Sequence, residues 1–129
     1  MLIAEDDYSS RLLLQTVLSR YGECSTAADG CEAVEAFRLA GGSGSLFDLI
    51  CMDILMPGMD GHEAVKQVRA IEAARGVLPP DGVKIVMTTA LNDMKHVVRA
   101  FEGLADAYLV KPIHTAQLVR QMWSWRLIE

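Results

Sequence analysis

Apolar residues in this chain follow two alternating patterns. Short runs at residues 1–4, 49–52 and 83–87, with weaker ones near 24–27 and 107–110, are too brief for helices and suit strands buried on both faces of a parallel sheet. Between them, apolar positions recur three and four residues apart: Leu13, Leu14, Val17, Leu18 and Tyr21; Ala33, Val34, Phe37 and Leu39; Ala64, Val65, Val68 and Ile71; Val97, Val98 and Phe101; Leu118, Val119, Met122 and Trp125. That spacing places each set on one side of a helix. The pattern predicts five strands and five helices in strict alternation. Such alternation implies a doubly wound α/β fold, a parallel sheet with helices on both faces and right-handed crossovers.

The polar punctuation agrees. Ser9 or Ser10 can cap the first helix and Gly22 can end it; Asp29-Gly30 reads as a turn before a helix over about residues 31–40; Asn92 or Asp93 and Thr115 are caps for the last two helices, and Gly103 ends the fourth. Gly41-Gly42-Ser43-Gly44-Ser45 reads as a flexible loop. Periodic apolar segments resume close by on both sides, so it lies within one domain rather than between two. Residues 76–82, with Pro79-Pro80, are a second loop.

The strands have polar ends. The first runs into Glu5-Asp6-Asp7, the third into Asp53, the fourth into Thr88-Thr89 and the fifth into Lys111-Pro112. Asp53 alone is open to two readings, a turn former or an acid placed in the crevice beyond the strand ends, where open α/β sheets bind ligands. A strand order of 2-1-3-4-5 makes the first and third strands neighbours. Asp6, Asp7 and Asp53 then converge where the winding reverses, with Thr89 and Lys111 at the same edge. Three ionised carboxylates at close range repel one another unless a cation lies among them. Mg²⁺ suits the place, because it takes one or two protein carboxylates and keeps positions for water and phosphate oxygens. The set points to a phosphoryl site.

Composition narrows the picture further. A chain of 129 residues, 51% hydrophobic and 22% charged, suits one globular domain over residues 1–129 with a real core. A net charge of −5 gives no general attraction to nucleic acid or anionic membrane, and no apolar run approaches the roughly 18 residues of a membrane span. Direct nucleic-acid binding and membrane insertion are therefore not expected. Cys24, Cys31 and Cys51 are odd in number and lack CxxC spacing, which fits reduced, buried thiols better than disulfides or zinc. With no secretory leader in view, the expected location is cytoplasmic. His62-Glu63 lacks the second His of a zinc-protease motif and reads as surface, while Met52, Met56 and Met59 read as gap-filling core.

Four ordered motifs, EDD at 5–7, MDILMPGMDG at 52–61, TTA at 88–90 and AYLVKP at 107–112, resemble the receiver (CheY-like) domain of two-component response regulators over essentially the whole chain. The resemblance implies a flavodoxin-like (βα)5 fold with strand order 2-1-3-4-5. It also implies a phosphorylatable signalling switch, with Asp53 accepting a phosphoryl group from a histidine kinase or histidine phosphotransfer protein. Asp6 and Asp7 match the acidic pair that holds Mg²⁺, with Asp7 the direct ligand, Asp53 shared, and the main-chain carbonyl of Leu55 a further ligand. Thr89 matches the switch hydroxyl, Lys111 the cation that pairs with the phosphoryl group, and Tyr108 the aromatic ring that turns inward on activation. The Lys111-Pro112 bond is expected to be cis. Output is expected through the face of the fourth helix, last strand and last helix. There Trp123 is either a contact for a homodimer or output domain or a partly exposed ring packed on its own helix. Such a domain is no ordinary enzyme, catalysing only its own Mg-dependent phosphorylation and dephosphorylation. A receiver-like interaction module whose site is unused stays open as the alternative. A phosphohydrolase is disfavoured, since no substrate-capping domain is visible. Leu55 and Leu91, two places beyond Asp53 and Thr89, are apolar where some relatives carry polar groups.

Overall fold

The computed structural model describes residues 1–43, 46–78, 81–90 and 104–128. Its strands are β1 Leu2–Ala4, β2 Ser25–Ala27, β3 Leu49–Asp53, β4 Lys84–Thr89 and β5 Ala107–Val110; its helices are α1 Tyr8–Leu18, α2 Gly30–Ser43, α3 Gly61–Ala74 and α4 Thr115–Ser124. All strand pairs are parallel and the order is β2-β1-β3-β4-β5, as expected. The predicted helix carrying Val97, Val98 and Phe101, its signals Asn92, Asp93 and Gly103, and Leu91 all lie outside the described residues.

Strand alternation divides the core into two layers. Leu2, Ala4, Ile50, Met52, Ile85 and Met87 face Ala33, Val34 and Phe37 of α2 and Ala64, Val65 and Val68 of α3. On the other side of the sheet, Ile3, Leu49, Cys51 and Val86 pack with Leu14 and Leu18 of α1 and Leu118 and Met122 of α4. Covered on both faces, the central strands need apolar residues at every position, which is why they read as continuous runs. Burial pushes the Cys51 thiol up to about 12, leaving it protonated and inert. Cys24 is half-buried, whereas Cys31 is exposed, contrary to the expectation of three buried thiols.

Local departures from the sequence reading have local causes. Helix α2 continues through Gly41 to Ser43 instead of stopping near residue 40. The Arg75 guanidinium lies where a Gly41 Cβ would be, and its Nη2 donates to the Arg38 carbonyl at 3.1 Å, so this glycine serves close approach rather than flexibility. Leu13 and Leu39 are exposed. Successive residues are separated by roughly 100°, so Leu13 stands about 100° from Leu14 and Leu39 about 200° from Phe37, off the buried line of each helix. Helix α1 stops at Leu18 with Ser19 as its C-cap, so exposed Tyr21 lies beyond it. Thr115 is the first residue of α4, and the cap position falls to His114.

Candidate functional site

The register assembles the site. Ile3 pairs with Cys51 and Ala4 with Met52, so Glu5, the next residue, comes level with Asp53 at the end of β3. Asp53 in turn pairs with Thr88. At 5% exposure the Asp53 carboxylate needs partners, because an unpaired buried charge is costly. Lys111 supplies one: its Nζ donates to Asp53 Oδ2 at 2.9 Å and to Glu5 Oε1 at 2.9 Å. The Leu55 N–H donates to Asp53 Oδ1 at 3.3 Å. The Lys111-Pro112 peptide bond is cis, as expected.

Electrostatics at this edge are unbalanced toward acid. Burial, reinforced by contact with Asp53, raises Glu5 to about 7 in spite of Lys111. For Lys111, burial alone would lower the pKa, but the hydrogen bonds and charges of Glu5 and Asp53 outweigh it and raise it. Glu5, Asp6 and Asp53 each offer a carboxylate oxygen, and these oxygens lie within 4.8 Å of one another. Glu5 Oε2 is buried and has no hydrogen-bond partner among the described residues. An all-oxygen donor set of this kind, with a buried oxygen left over, fits Mg²⁺.

Asp7 does not join that cluster. It is exposed, and its carboxylate accepts from the Ser10 N–H at 2.9 Å as the N-cap of α1; that bond holds its pKa below the usual carboxylate range. The acidic pair beside Asp53 is therefore Glu5 and Asp6, where the sequence reading had Asp6 and Asp7. A signal was present: an Asp directly before an apolar-periodic segment is a capping residue first. Ser9 and Ser10, expected as caps, lie inside the helix.

The loop after Asp53 is pinned at its far end. A Cβ at Gly61 would strike the Asp53 carbonyl, the Gly61 N–H donates to the Ile54 carbonyl at 2.8 Å, and Asp60 caps α3 by accepting from the Glu63 N–H at 3.0 Å. Gly58 takes a positive φ of 73° within it. Leu55 is 61% exposed. Thr89 is buried at the end of β4 and its hydroxyl donates to the Ala90 carbonyl at 3.2 Å. Tyr108 pairs with Met87, so by alternation it shares the α2/α3 side of the sheet with Thr89 and packs half-buried against that core layer. Trp123 is 62% exposed on α4, on the outer side as expected. His62, expected at the surface, is half-buried, and burial lowers its pKa.

Residues 1–122 match the response regulator receiver domain family, and the chain belongs to it. The sensor protein GacS of Pseudomonas syringae pv. syringae is 33% identical over 97% of this chain and 13% of its own length. Among solved structures, the Saccharomyces cerevisiae complex of the histidine phosphotransfer signaling protein Ypd1 with the receiver domain of Ssk1 contains a similar chain. It is 30% identical with TM-score 0.79, covering 96% of this chain and 86% of that one. The receiver domain of sensor histidine kinase PA1611 from Pseudomonas aeruginosa, with a magnesium ion in its active-site cleft, is 28% identical with TM-score 0.75, covering 96% of this chain and 93% of that one. The chain spans between 13% and 49% of the curated relatives it matches. Receiver domains of this family are phosphorylatable signalling switches and not classical enzymes. No helix among the described residues is long and apolar enough to cross a membrane.

Proposed function

We propose that residues 1–129 form one receiver domain in which Asp53 accepts the phosphoryl group. The donor in this reading is a histidine kinase or a histidine phosphotransfer protein. The observation that carries it is the Asp53 carboxylate, buried at a strand end, held by Lys111 and the Leu55 N–H and flanked by two further acids. Glu5, Asp6 and Asp53, with the Leu55 carbonyl, are the groups that would hold Mg²⁺. When bound, the ion supplies positive charge to the phosphoryl oxygens.

The chain's own residues do the rest. An Asp53 oxygen forms the bond to phosphorus as the donor's bond breaks, the electron pair leaving with the donor. A carboxylate is a weak nucleophile, so alignment and charge neutralisation by Lys111 and the Thr89 hydroxyl carry the step. Thr89 leaves the Ala90 carbonyl for the phosphoryl group, and Tyr108 on the same side of the sheet follows, giving two discrete packings. The receiver catalyses only its own Mg-dependent phosphorylation and dephosphorylation. Output leaves through the β5 and α4 face, with Trp123 a contact for an output domain or a second copy, and the domain works in the cytoplasm without touching nucleic acid or membrane.

Intact-mass measurement with acetyl phosphate tests the reading. Wild type gains one phosphoryl group only when a divalent ion is present, and Asp53→Asn gains none. Asp6→Asn raises the Mg²⁺ needed at least tenfold, whereas Asp7→Asn leaves it near wild type. Equal labelling of wild type and Asp53→Asn would sink the phosphoacceptor, and a tenfold shift in Asp7→Asn would restore Asp7 as the ligand.

A further inference from the structure

Two adjacent threonines end β4, and they face opposite sides of the sheet. Thr89 lies on the α2/α3 side and already donates to the Ala90 carbonyl. Thr88 lies on the other side, the side of Asp53. It pairs with Asp53 on β3 and Leu109 on β5, so Glu5, Asp53 and Thr88 form one row across the sheet. By alternation Lys111 falls on the same side as Leu109, and its Nζ ends at Asp53 and Glu5, so its side chain reaches across β4, the strand that carries Thr88. Thr88 is 1% exposed, and its hydroxyl has no hydrogen-bond partner among the described residues. A buried hydroxyl left without a partner destabilises the fold, and a valine would fill the same space without that cost.

We propose that Thr88 is a positioning residue for Asp53: its hydroxyl takes the Asp53 oxygen that Lys111 releases when the ammonium turns to an incoming phosphoryl group. The inference rests on the phosphoacceptor reading and gives the site a second hydroxyl, one for Asp53 where Thr89 serves the phosphoryl group. In the resting site Lys111 holds Oδ2 and the Leu55 N–H holds Oδ1. During attack, one oxygen bonds to phosphorus and the other needs a donor to keep the carboxylate plane fixed. Thr88 is the cross-strand partner of Asp53, on the same side of the sheet, with its buried hydroxyl uncommitted among the described residues. The same bond serves in reverse: water attacks phosphorus, the Asp53 oxygen–phosphorus bond breaks with its electron pair returning to the carboxylate, and the water's proton leaves on the inorganic phosphate. A donor to Asp53 therefore acts on both steps, because the carboxylate is nucleophile in one and leaving group in the other.

The test compares wild type, Thr88→Val and Thr88→Ser, with acetyl phosphate as donor at saturating Mg²⁺. Thr88→Val keeps or raises the melting temperature, yet slows phosphorylation and phosphate loss together, each about fivefold, the factor one ordering hydrogen bond is worth. Its steady-state phosphorylation and half-saturating Mg²⁺ stay near wild type, and Thr88→Ser restores both rates. A merely structural role predicts another pattern: lower stability, or a lower phosphorylated fraction with an altered metal requirement. Rates in Thr88→Val equal to wild type, a change in one step only, or no recovery in Thr88→Ser overturns the inference while leaving Asp53 as acceptor. Absence of labelling in wild type itself overturns both.

Discussion

The molecule has two polar clusters at opposite ends of its sheet, and they are built on different principles. At the amino end of β4 and β5, Arg69 of α3 donates to Glu72 Oε1 at 2.6 Å, to Asp106 Oδ2 at 3.0 Å, and to the carbonyls of Leu104 and Val83 at 2.9 Å each. Glu72 Oε2 accepts from the Val83 N–H at 2.6 Å, Asp106 Oδ2 accepts from the Ile85 N–H at 2.8 Å, and Lys84 Nζ lies 4.0 Å from Asp106 Oδ1. Gly82 leaves room for the Glu72 carboxylate. Two cations meet two acids, and each carboxylate oxygen has a partner. At the carboxyl end, Glu5, Asp6 and Asp53 cluster together; among the described residues Lys111 is the one cation ion-paired there, to Glu5 and Asp53, and both Glu5 Oε2 and the Thr88 hydroxyl lack partners. The first arrangement is complete by itself and holds the fold. The second is unbalanced in charge and hydrogen bonding, which is the condition of a site that awaits a ligand.

The largest effect that sharpens this contrast is on stability at the amino end. Arg69→Ala leaves the buried Glu72 carboxylate without its cation and removes donors from two carbonyls, so unfolding free energy should fall by about 3 to 5 kcal/mol. Urea denaturation measures it. The variant, where still folded, should keep the wild-type Mg²⁺ requirement for phosphorylation. A loss below about 1 kcal/mol would class the cluster with ordinary surface pairs.

At the carboxyl end the sign should invert. The folded-state pKa of Glu5 is raised from 4.5 to about 7, so between those values the folded protein binds more protons than the unfolded chain. Stability from this group is therefore lost as pH rises from about 4.5 to about 7. Glu5→Gln removes that loss. In metal-free buffer at pH 8 the variant should be more stable than wild type by about 2 kcal/mol, with the difference vanishing near pH 4.5. Parallel thermal melts across this range check it. A destabilised Glu5→Gln at pH 8 would mean that the Lys111 bond outweighs acid repulsion, and the two ends would then be alike.

The same contrast explains what was legible in the sequence. Five strands and four described helices follow from apolar runs and periodicity, signals carried by neighbouring residues, whereas the strand order followed from the family likeness. Asp53 and Lys111 were legible because strand ends place them at one edge, and the cis bond followed from the family likeness. Glu5 was missed because three acids in a row give no phase by themselves; phase comes from the register with β3 and from the demand of α1 for Asp7 as a cap. The Arg69 cluster was hidden for another reason. Arg69 and Glu72 look like an exposed helical pair, and only tertiary packing brings Val83, Leu104 and Asp106 to them. Gly41 misled similarly, since the reason for it is the Arg75 side chain of another helix.

The smallest predicted effect lies at the rim of the unbalanced cluster. Leu55 follows Asp53 by two residues, sits 61% exposed on the loop beyond β3, and donates its N–H to Asp53 Oδ1. Hydrolysis of an aspartyl-phosphate needs a water in line with phosphorus, opposite the Asp53 oxygen. A leucine at this position excludes water without orienting it, whereas an amide can hold it. Leu55→Asn should therefore shorten the phosphoryl lifetime about fivefold, the equivalent of one hydrogen bond of roughly 1 kcal/mol. Stability should change little, because the side chain is mostly in solvent. The half-saturating Mg²⁺ should also hold, since the main-chain carbonyl is kept. Loss of phosphate from labelled protein at saturating Mg²⁺ gives the rate. An unchanged lifetime would mean that water reaches phosphorus from a side that Leu55 does not flank, whereas a lifetime shortened together with a weaker metal requirement would mean that the substitution moved the loop.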